Sequence, residues 1–258
     1  MMEQYGVLVI SHGSRDEEWV RLVTDAVEQM ELSRSLPVEC SFLELVEGRL
    51  IQDGIDRLEA AGVTHIIVVP LFVSSGSTHI DEISWALGVK DTPILETDLE
   101  RFRIQGKVTF CSPLDDDPIA ADILYEKIKP LSERPEREIV MLVGHGSNED
   151  GFHQAWLRGM ESLAAQVKRL GGFAESDVSM LLPDQLGQKV REWNTRQPDY
   201  QVIVAPLFLS EGYFTNRVVP QRLDGCVYRY NGKAMLPHPN IVNWLEKQVH
   251  KALGEKTG

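Results

Sequence analysis

The chain has 258 residues and a mass of 29.1 kDa, which is enough for two domains of about 125 residues each. Apolar residues make up 43% and charged residues 25% of the sequence, and this composition excludes a collagen-like, low-complexity or mainly disordered chain. The net charge of −13 argues against nucleic acid or an anionic membrane as the main partner.

Apolar runs rich in β-branched residues alternate with amphipathic stretches in the first half of the chain. In chain order they predict a strand at 6–11, a helix at 15–34, a strand at 38–45, a helix at 48–61 and a strand at 65–73. The segment 106–132 predicts a fourth strand and a helix. No apolar run approaches the roughly 20 residues that span a bilayer, and the N-terminus has no basic region, so we expect a cytoplasmic protein with no membrane partner.

A similar order of elements follows the proline-bracketed, charged stretch KPLSERPERE at 129–138. The second half predicts strands at 139–143, 176–182 and 202–209 and helices at 150–170 and 184–196. It closes with a predicted strand near 227–236 and a helix at 240–253.

Two pairs of similar segments indicate an internal duplication. VLVISHGSRDE at 7–17 parallels IVMLVGHGSNED at 139–150, so that His12 matches His145, and IIVVPLFVSSGSTH at 66–79 parallels VIVAPLFLSEGYFT at 202–215. The offsets of 133 and 136 residues are nearly equal. We therefore predict one α/β domain made twice, each with a mostly parallel sheet covered by helices. The first domain would span 1–132, the linker 133–137 and the second domain 138–258.

Two histidines stand at the predicted carboxyl ends of strands. His12 ends the first strand, and the SRDE that begins at Ser14 has the spacing of a helix capping box. His79 follows the third strand. In the common 2-1-3 strand order these two strands are neighbours about 5 Å apart, so both imidazoles should face the crevice where ligands bind. Glu44, near the end of the second strand, could add a carboxylate to the same rim.

Two neutral imidazoles and a carboxylate suit a divalent ion such as Fe²⁺, Co²⁺, Ni²⁺ or Zn²⁺, and they could equally take up protons near neutral pH. Asp81 and Glu82 would raise the negative potential there. A structural interpretation stays open, because a single histidine at a strand end is often a turn residue and Glu44 could be an acid at a helix entry. The three cysteines lie far apart, so they indicate small core residues rather than disulfides or a thiolate metal site.

The second half carries a different set of side chains at the matching positions. His145 repeats His12, but the alignment places Thr215 opposite His79, and the segment matching FLEL, near SMLL, has no acid. One catalytic centre per chain is therefore the simpler prediction. Tyr213, Phe214, Arg217 and Arg222 instead form an aromatic and cationic stretch suited to a flat ring that bears carboxylates, although an ordinary helix start would look the same.

The acidic excess lies entirely in the first half. Residues up to Arg134 include 25 acidic and 12 basic residues, whereas the rest of the chain has 14 of each. Solvated acidic helix faces would explain this, and so would a first half that attracts a cation and a second half that meets an anion.

The strand followed by H-G-S-R, the FLEL at 42–45 and the pattern V-V-P-L-F-x₆-H ending at His79, in a chain that repeats itself, resemble the class II chelatases of the sirohydrochlorin type, the CbiX and SirB proteins. The resemblance covers nearly the entire chain. It implies two tandem chelatase-like, flavodoxin-like domains, with insertion of Co²⁺ or Fe²⁺ into sirohydrochlorin without a nucleotide. Ni²⁺ is a further candidate substrate ion. It also implies that His12 and His79 are the metal-binding and catalytic residues and that Glu44 assists them.

Such a reaction removes two pyrrole N–H protons and strips water from the ion, which two imidazoles and a carboxylate can do without a redox step. Arg217 and Arg222 above all, with Tyr213, Phe214 and Ser14, are then the predicted substrate-binding residues. A histidine phosphotransferase is an alternative, but it would have an arginine directly before the histidine, where this chain has Ser11. A non-catalytic metal or tetrapyrrole carrier would use the same ligands. Fusion of the two halves favours a monomer.

Overall fold

The computed structural model describes residues 3–255, which form two sets of parallel strands with helices between them. The strands are β1 (Tyr5–Ser11), β2 (Val38–Phe42), β3 (His65–Pro70), β4 (Lys107–Phe110), β5 (Glu138–Gly146), β6 (Glu175–Leu182) and β7 (Gln201–Pro206). The helices are α1 (Glu17–Glu28), α2 (Ile51–Ala60), α3 (Thr78–Ala86), α4 (Pro118–Ile128), α5 (Asp150–Gly171), α6 (Leu186–Arg196), α7 (Val219–Arg222) and α8 (Pro239–Ala252).

Each half builds a parallel sheet whose first strand is central. The orders are β2-β1-β3-β4 and β6-β5-β7, so the predicted α/β class and the 2-1-3 strand order are confirmed in both halves. The residues of β1 from Gly6 onward and nearly all of β5 are buried, because helices cover both faces of a parallel sheet. This burial explains why these strands show continuous apolar runs in the sequence rather than alternation.

The predicted strand near 227–236 is wrong. Only Arg229 pairs with a strand, through an isolated bridge to Ile203 of β7. Three residues later Gly232 has a φ of +71°, a left-handed conformation that ends an extended segment. The next residues, Met235 and Leu236, donate their backbone N–H groups to the carbonyl groups of residues 208 and 209.

The compact units of the fold differ from the predicted domains. One unit comprises the described parts of 1–72, 78–113 and 239–258, and the other comprises 73–77 and 114–238. Helix α4 packs on α5 and β7 in the second unit, and α8 packs on α1 and β3 in the first. The last helix of each sequence repeat therefore belongs to the other unit, because a helix packs where its apolar face is buried and not where the repeat ends. The outer ends of the predicted domains, residues 1 and 258, lie outside the described residues.

Candidate active site

Gly13 allows the turn after the first histidine to lie directly against the backbone that follows the second strand. It has a φ of +101°, and a Cβ atom there would lie 2.0 Å from the carbonyl oxygen of Glu44. The chain after β2 continues beside β1, since the backbone N–H groups of Leu43 and Glu44 donate to the carbonyls of Ser11 and His12. The glycine of the H-G-S motif therefore allows Glu44 to come close to His12.

The imidazole of His12 has a defined proton position. Its Nδ1 lies 3.0 Å from the carbonyl oxygen of Gly13, and because a carbonyl oxygen only accepts, Nδ1 carries the proton. The Nε2 atom keeps its lone pair and lies 3.7 Å from a carboxylate oxygen of Glu44. About a third of the His12 side chain is exposed, so Nε2 belongs to a ring that solvent and ligands can reach.

His79 is oriented by a carboxylate on its own helix. It lies in the first turn of α3, and its Nδ1 donates to Glu82 at 2.6 Å. The second oxygen of Glu82 accepts the hydroxyl proton of Thr97, also at 2.6 Å. Burial raises the pKa of the Glu82 carboxyl, but the hydrogen bonds from His79 and Thr97 outweigh it and hold the pKa below its usual range. An ionised Glu82 holds a proton of His79 on Nδ1, so Nε2 is the ring nitrogen that is left to bind a ligand.

The fold brings the two predicted histidines into contact. The ring centroids of His12 and His79 lie 4.7 Å apart with an interplanar angle of 72°. Glu44 lies beside His12 as expected. In the part of the chain from 3 to 255, no set of three or more His, Cys, Asp and Glu side chains is arranged to hold an ion. The arrangement is a histidine pair with an adjacent carboxylate.

Two expectations about the surroundings of the pair are corrected. Asp81 is buried and ion-paired with Lys90, and it accepts the backbone N–H of Ile94, so it anchors a loop instead of adding free negative charge. Helix α1 begins after Asp16, whose carboxylate caps it, whereas the Ser14 hydroxyl oxygen accepts the N–H of Asp16. The predicted capping box at Ser14 does not form, because the helix begins later and Asp16 takes the N-cap position.

The second unit repeats the scaffold of this site but not its ligands. His145 is the last residue but one of β5, and its Nδ1 lies 3.1 Å from the carbonyl of Gly146, which has a φ of +77°. Strand register places Leu182 where Glu44 lies in the first unit, since β1 pairs Ser11 with Phe42 and β5 pairs the matching residue with Met180. The acid is thus replaced by a half-exposed leucine.

The partner of His145 is Phe214, not the aligned Thr215. The Phe214 ring meets the imidazole at 5.1 Å and 86°, which is close to the geometry of the histidine pair. Thr215 is buried, and its hydroxyl group exchanges hydrogen bonds with the backbone of Gly212. The connection from the end of β7 to Phe214 is one residue shorter than the connection from the end of β3 to His79, and a π-helical turn follows at Phe214–Val218. An alignment without a gap therefore named the wrong position.

The predicted substrate-binding residues lie around this turn, but their environments differ. Tyr213 is 69% exposed, and Phe214 stacks on Phe208 with ring centroids 5.7 Å apart. The side chain of Arg217 is exposed and makes no hydrogen bond or ion pair with any residue that the structure describes. Arg222 is held by Asp184 at 2.7 Å. Arg217 is therefore available to a ligand anion, whereas Arg222 would first have to leave its partner.

Sequence reasoning missed Glu82 as the partner of His79, and it missed Thr97. The three-residue spacing between His79 and Glu82 puts them on one face of a helix, so that contact could have been found from the sequence. Thr97 lies in a segment without regular structure, and its approach to Glu82 is a tertiary contact with no local signal.

Comparison with known proteins gives a consistent result. The CbiX family model matches residues 6–131 and 139–252. A sirohydrochlorin cobaltochelatase of Sulfolobus acidocaldarius is 32% identical over 123 residues, which cover 47% of this chain and 88% of that protein. A sirohydrochlorin ferrochelatase of Bacillus subtilis is 27% identical over 144 residues, which cover 55% of this chain and 51% of that protein.

The fold is shared with solved structures as well. SirB from Bacillus subtilis with Fe³⁺ superposes with a TM-score of 0.74 at 22% identity, covering 97% of this chain and 95% of that one. In residues 3–255, none of the helices combines the length and hydropathy that crossing a membrane requires. The family match extends over both halves, each with its own histidine-glycine turn, and on this ground the chain belongs to the CbiX family.

Proposed function

We propose that this protein is a metal chelatase that inserts Co²⁺ or Fe²⁺ into sirohydrochlorin. Its family and the names of its relatives support this reaction. The observation that carries the proposal is the histidine pair, two imidazoles in contact whose Nδ1 protons are both held by oxygen acceptors. Two unprotonated Nε2 atoms are what a borderline divalent ion binds.

The metal ion is a substrate in this reaction, and the pair would act on its water shell. Nε2 of His12 and Nε2 of His79 would replace two water molecules, which lowers the barrier for exchanging the rest for pyrrole nitrogens. The free-base macrocycle releases two protons as it takes up the ion. The Glu44 carboxylate, 3.7 Å from His12 Nε2, can accept them one at a time and pass each to solvent. Charge balances without a redox step.

The side chains at the matching positions of the second unit are suited to binding the anionic macrocycle. Where the first unit has His79, Glu44 and Glu82, the second has Phe214, Leu182 and Arg217, so two acids and a metal ligand are replaced by apolar groups and a cation. Aromatic rings and a free guanidinium suit a flat ring with carboxylates. Tyr213, Phe214 and Arg217, with Arg222 and Ser14, remain our candidates for binding sirohydrochlorin.

Turnover tests the reaction. We expect the absorption of free-base sirohydrochlorin to shift with many equivalents of Co²⁺ or Fe²⁺ per protein, without ATP, and the rate to fall at least 100-fold in His12→Ala and His79→Ala. His250→Ala, in the last turn of α8 where the ring bonds Glu255, is the matched control and should keep its rate. Conversion that stops at one equivalent would indicate a carrier. The same assay with Ni²⁺ tests the wider metal range.

Charge reversal tests the substrate residues separately. Arg217→Glu should raise the KM for sirohydrochlorin by about 10-fold or more, since a charge-assisted hydrogen bond contributes roughly 1.5–3 kcal/mol. Arg222→Glu should have the smaller effect, because Arg222 already pairs with Asp184. An unchanged KM in both variants would remove these arginines from the proposal. Sedimentation of the purified chain tests the expected monomer.

A further inference from the structure

The segment between α3 and β4 has no regular structure, yet two acidic side chains of α3 hold it. Asp81 binds Lys90 and the N–H of Ile94, and Glu82 accepts the hydroxyl proton of Thr97. From residue 93 to 100, half-buried residues alternate with exposed ones, so every second side chain is directed inward. Thr97 is one of these inward residues.

The direction of each hydrogen bond around Thr97 is fixed by chemistry. Its hydroxyl oxygen accepts the backbone N–H of Leu99 at 3.1 Å, and its single proton therefore goes to Glu82 at 2.6 Å. The other oxygen of Glu82 accepts Nδ1–H of His79. Leu99 packs against the core of the first unit, and this packing fixes the position of the neighbouring Thr97. These contacts connect the core of the first unit with the imidazole of His79.

Both oxygens of the Glu82 carboxylate are thus occupied by donors at short distance. A carboxylate held at only one end could rotate about its last bond and release the ring, whereas one held at both ends keeps a single orientation. In the second unit, where Phe214 replaces His79, the residue three positions later is Arg217 and no such set of bonds is present among the described residues. These hydrogen bonds therefore occur in the unit whose histidine is proposed to bind metal.

We propose that Thr97 is a positioning residue, which through Glu82 fixes the ring of His79 and keeps its Nε2 free for the metal ion. The proposal rests on the metal-binding role of His79 given above. Loss of a partner outside the ligand shell typically lowers metal affinity 10- to 100-fold, and we expect this for Glu82→Gln. For Thr97→Val, one bond further away, we expect about 3- to 10-fold.

The test measures equilibrium binding of Co²⁺ alone to the full chain, by competition with a chromophoric chelator. Thr97→Val keeps the shape of the side chain but removes the hydroxyl, and Thr97→Ser restores it. Thr109→Val is the matched control, because the Thr109 hydroxyl also bonds a histidine of the first unit, His65, at 2.7 Å, outside the site. Both valine variants should lose similar stability, but only Thr97→Val should bind Co²⁺ more weakly, and Thr97→Ser should be within twofold of wild type.

Nitrogen NMR of the histidines gives a second measurement, since it distinguishes the Nδ1–H from the Nε2–H form. The His79 signals are assigned by their absence from the spectrum of His79→Ala. They should show the Nδ1–H form in the wild type and a mixture of the two forms in Thr97→Val. Equal Co²⁺ affinity in the two valine variants, with His79-dependent binding intact, would overturn the positioning role alone. Binding that His79→Ala leaves unchanged would overturn the metal role as well.

Discussion

Replacing one aromatic ring should create a second metal-binding pair in this protein. His145 has the same backbone setting as His12, and its ring partner Phe214 lies at 5.1 Å and 86°, against 4.7 Å and 72° for His79. Phe214→His therefore places a second imidazole in nearly the required geometry. The sequence alignment would instead direct the substitution to Thr215, which is buried and bonded to Gly212.

The expected affinity of the new pair follows from what surrounds it. It lacks an acid at Leu182 and a carboxylate partner for the new ring, and such partners typically contribute 10- to 100-fold in affinity. Arg217 adds repulsion, which for a divalent ion at about 8 Å in water amounts to roughly 1 kcal/mol, or about fivefold. Adding Arg217→Glu should recover that factor and more. The ring itself loses stacking on Phe208, which costs about 1 kcal/mol of stability.

The assay is Co²⁺ binding in a His79→Ala background, which disables the first pair. Phe214→His should restore binding at one equivalent, more weakly than wild type, and Arg217→Glu should strengthen it. Thr215→His should not restore binding, and it should lower the free energy of unfolding by about 2–4 kcal/mol through overpacking and lost hydrogen bonds. Binding restored by Thr215→His and not by Phe214→His would refute the assignment of Phe214 as the structural counterpart of His79.

Three further outcomes are expected from other parts of the molecule. Gly13→Ala should destabilise the fold by about 3 kcal/mol or more, against about 1 kcal/mol for Gly48→Ala, because both have positive φ but only Gly13 meets a backbone oxygen; equal urea midpoints would contradict the close approach. Burial raises the pKa of Glu138, but backbone and side-chain donors outweigh it and lower the pKa. Its stabilisation should therefore be full above about pH 4.3 and be lost as pH falls through the lowered value. Glu138→Gln should thus cost about 2 kcal/mol at pH 7 and less in acid, and a constant difference would be the contrary result. Burial raises the pKa of Cys40 and Cys111 to about 11, so iodoacetamide at pH 8 should label them on the order of 100-fold more slowly than in the unfolded chain, as peptide mass spectrometry can measure.

Most of the architecture could be predicted from the sequence because its signals are local. Apolar runs and helical periodicity identified six of the seven strands near their observed positions and the fourth strand as part of a longer segment. The 2-1-3 strand order was expected because it is common in doubly wound parallel sheets, and both halves have it. The wrongly predicted strand at 227–236 shows where local signals fail. Its composition suits a strand, but its backbone forms one isolated bridge to β7 and then bonds to residues 208 and 209, beyond the end of that strand.

The histidine pair could be predicted from the sequence for the same reason. Both residues follow parallel strands, and the carboxyl ends of neighbouring strands meet at one edge, so topology alone brings His12 and His79 together. The partners of their rings could be predicted only in part. Glu82 is a helical neighbour of His79, but Thr97 lies fifteen positions after Glu82, in an irregular segment beyond the end of α3.

The order of residues along the chain thus determined the duplication, the parallel sheets and the meeting of two imidazoles, because each depends on hydrophobic pattern and strand connection. Tertiary structure alone decided three other features: which unit each terminal helix joins, that Asp81 is neutralised by Lys90, and that Phe214 rather than Thr215 lies against His145. These depend on the packing of side chains that are distant in sequence and on a connection that is one residue shorter in the second half, and neither appears as a periodic pattern in the sequence.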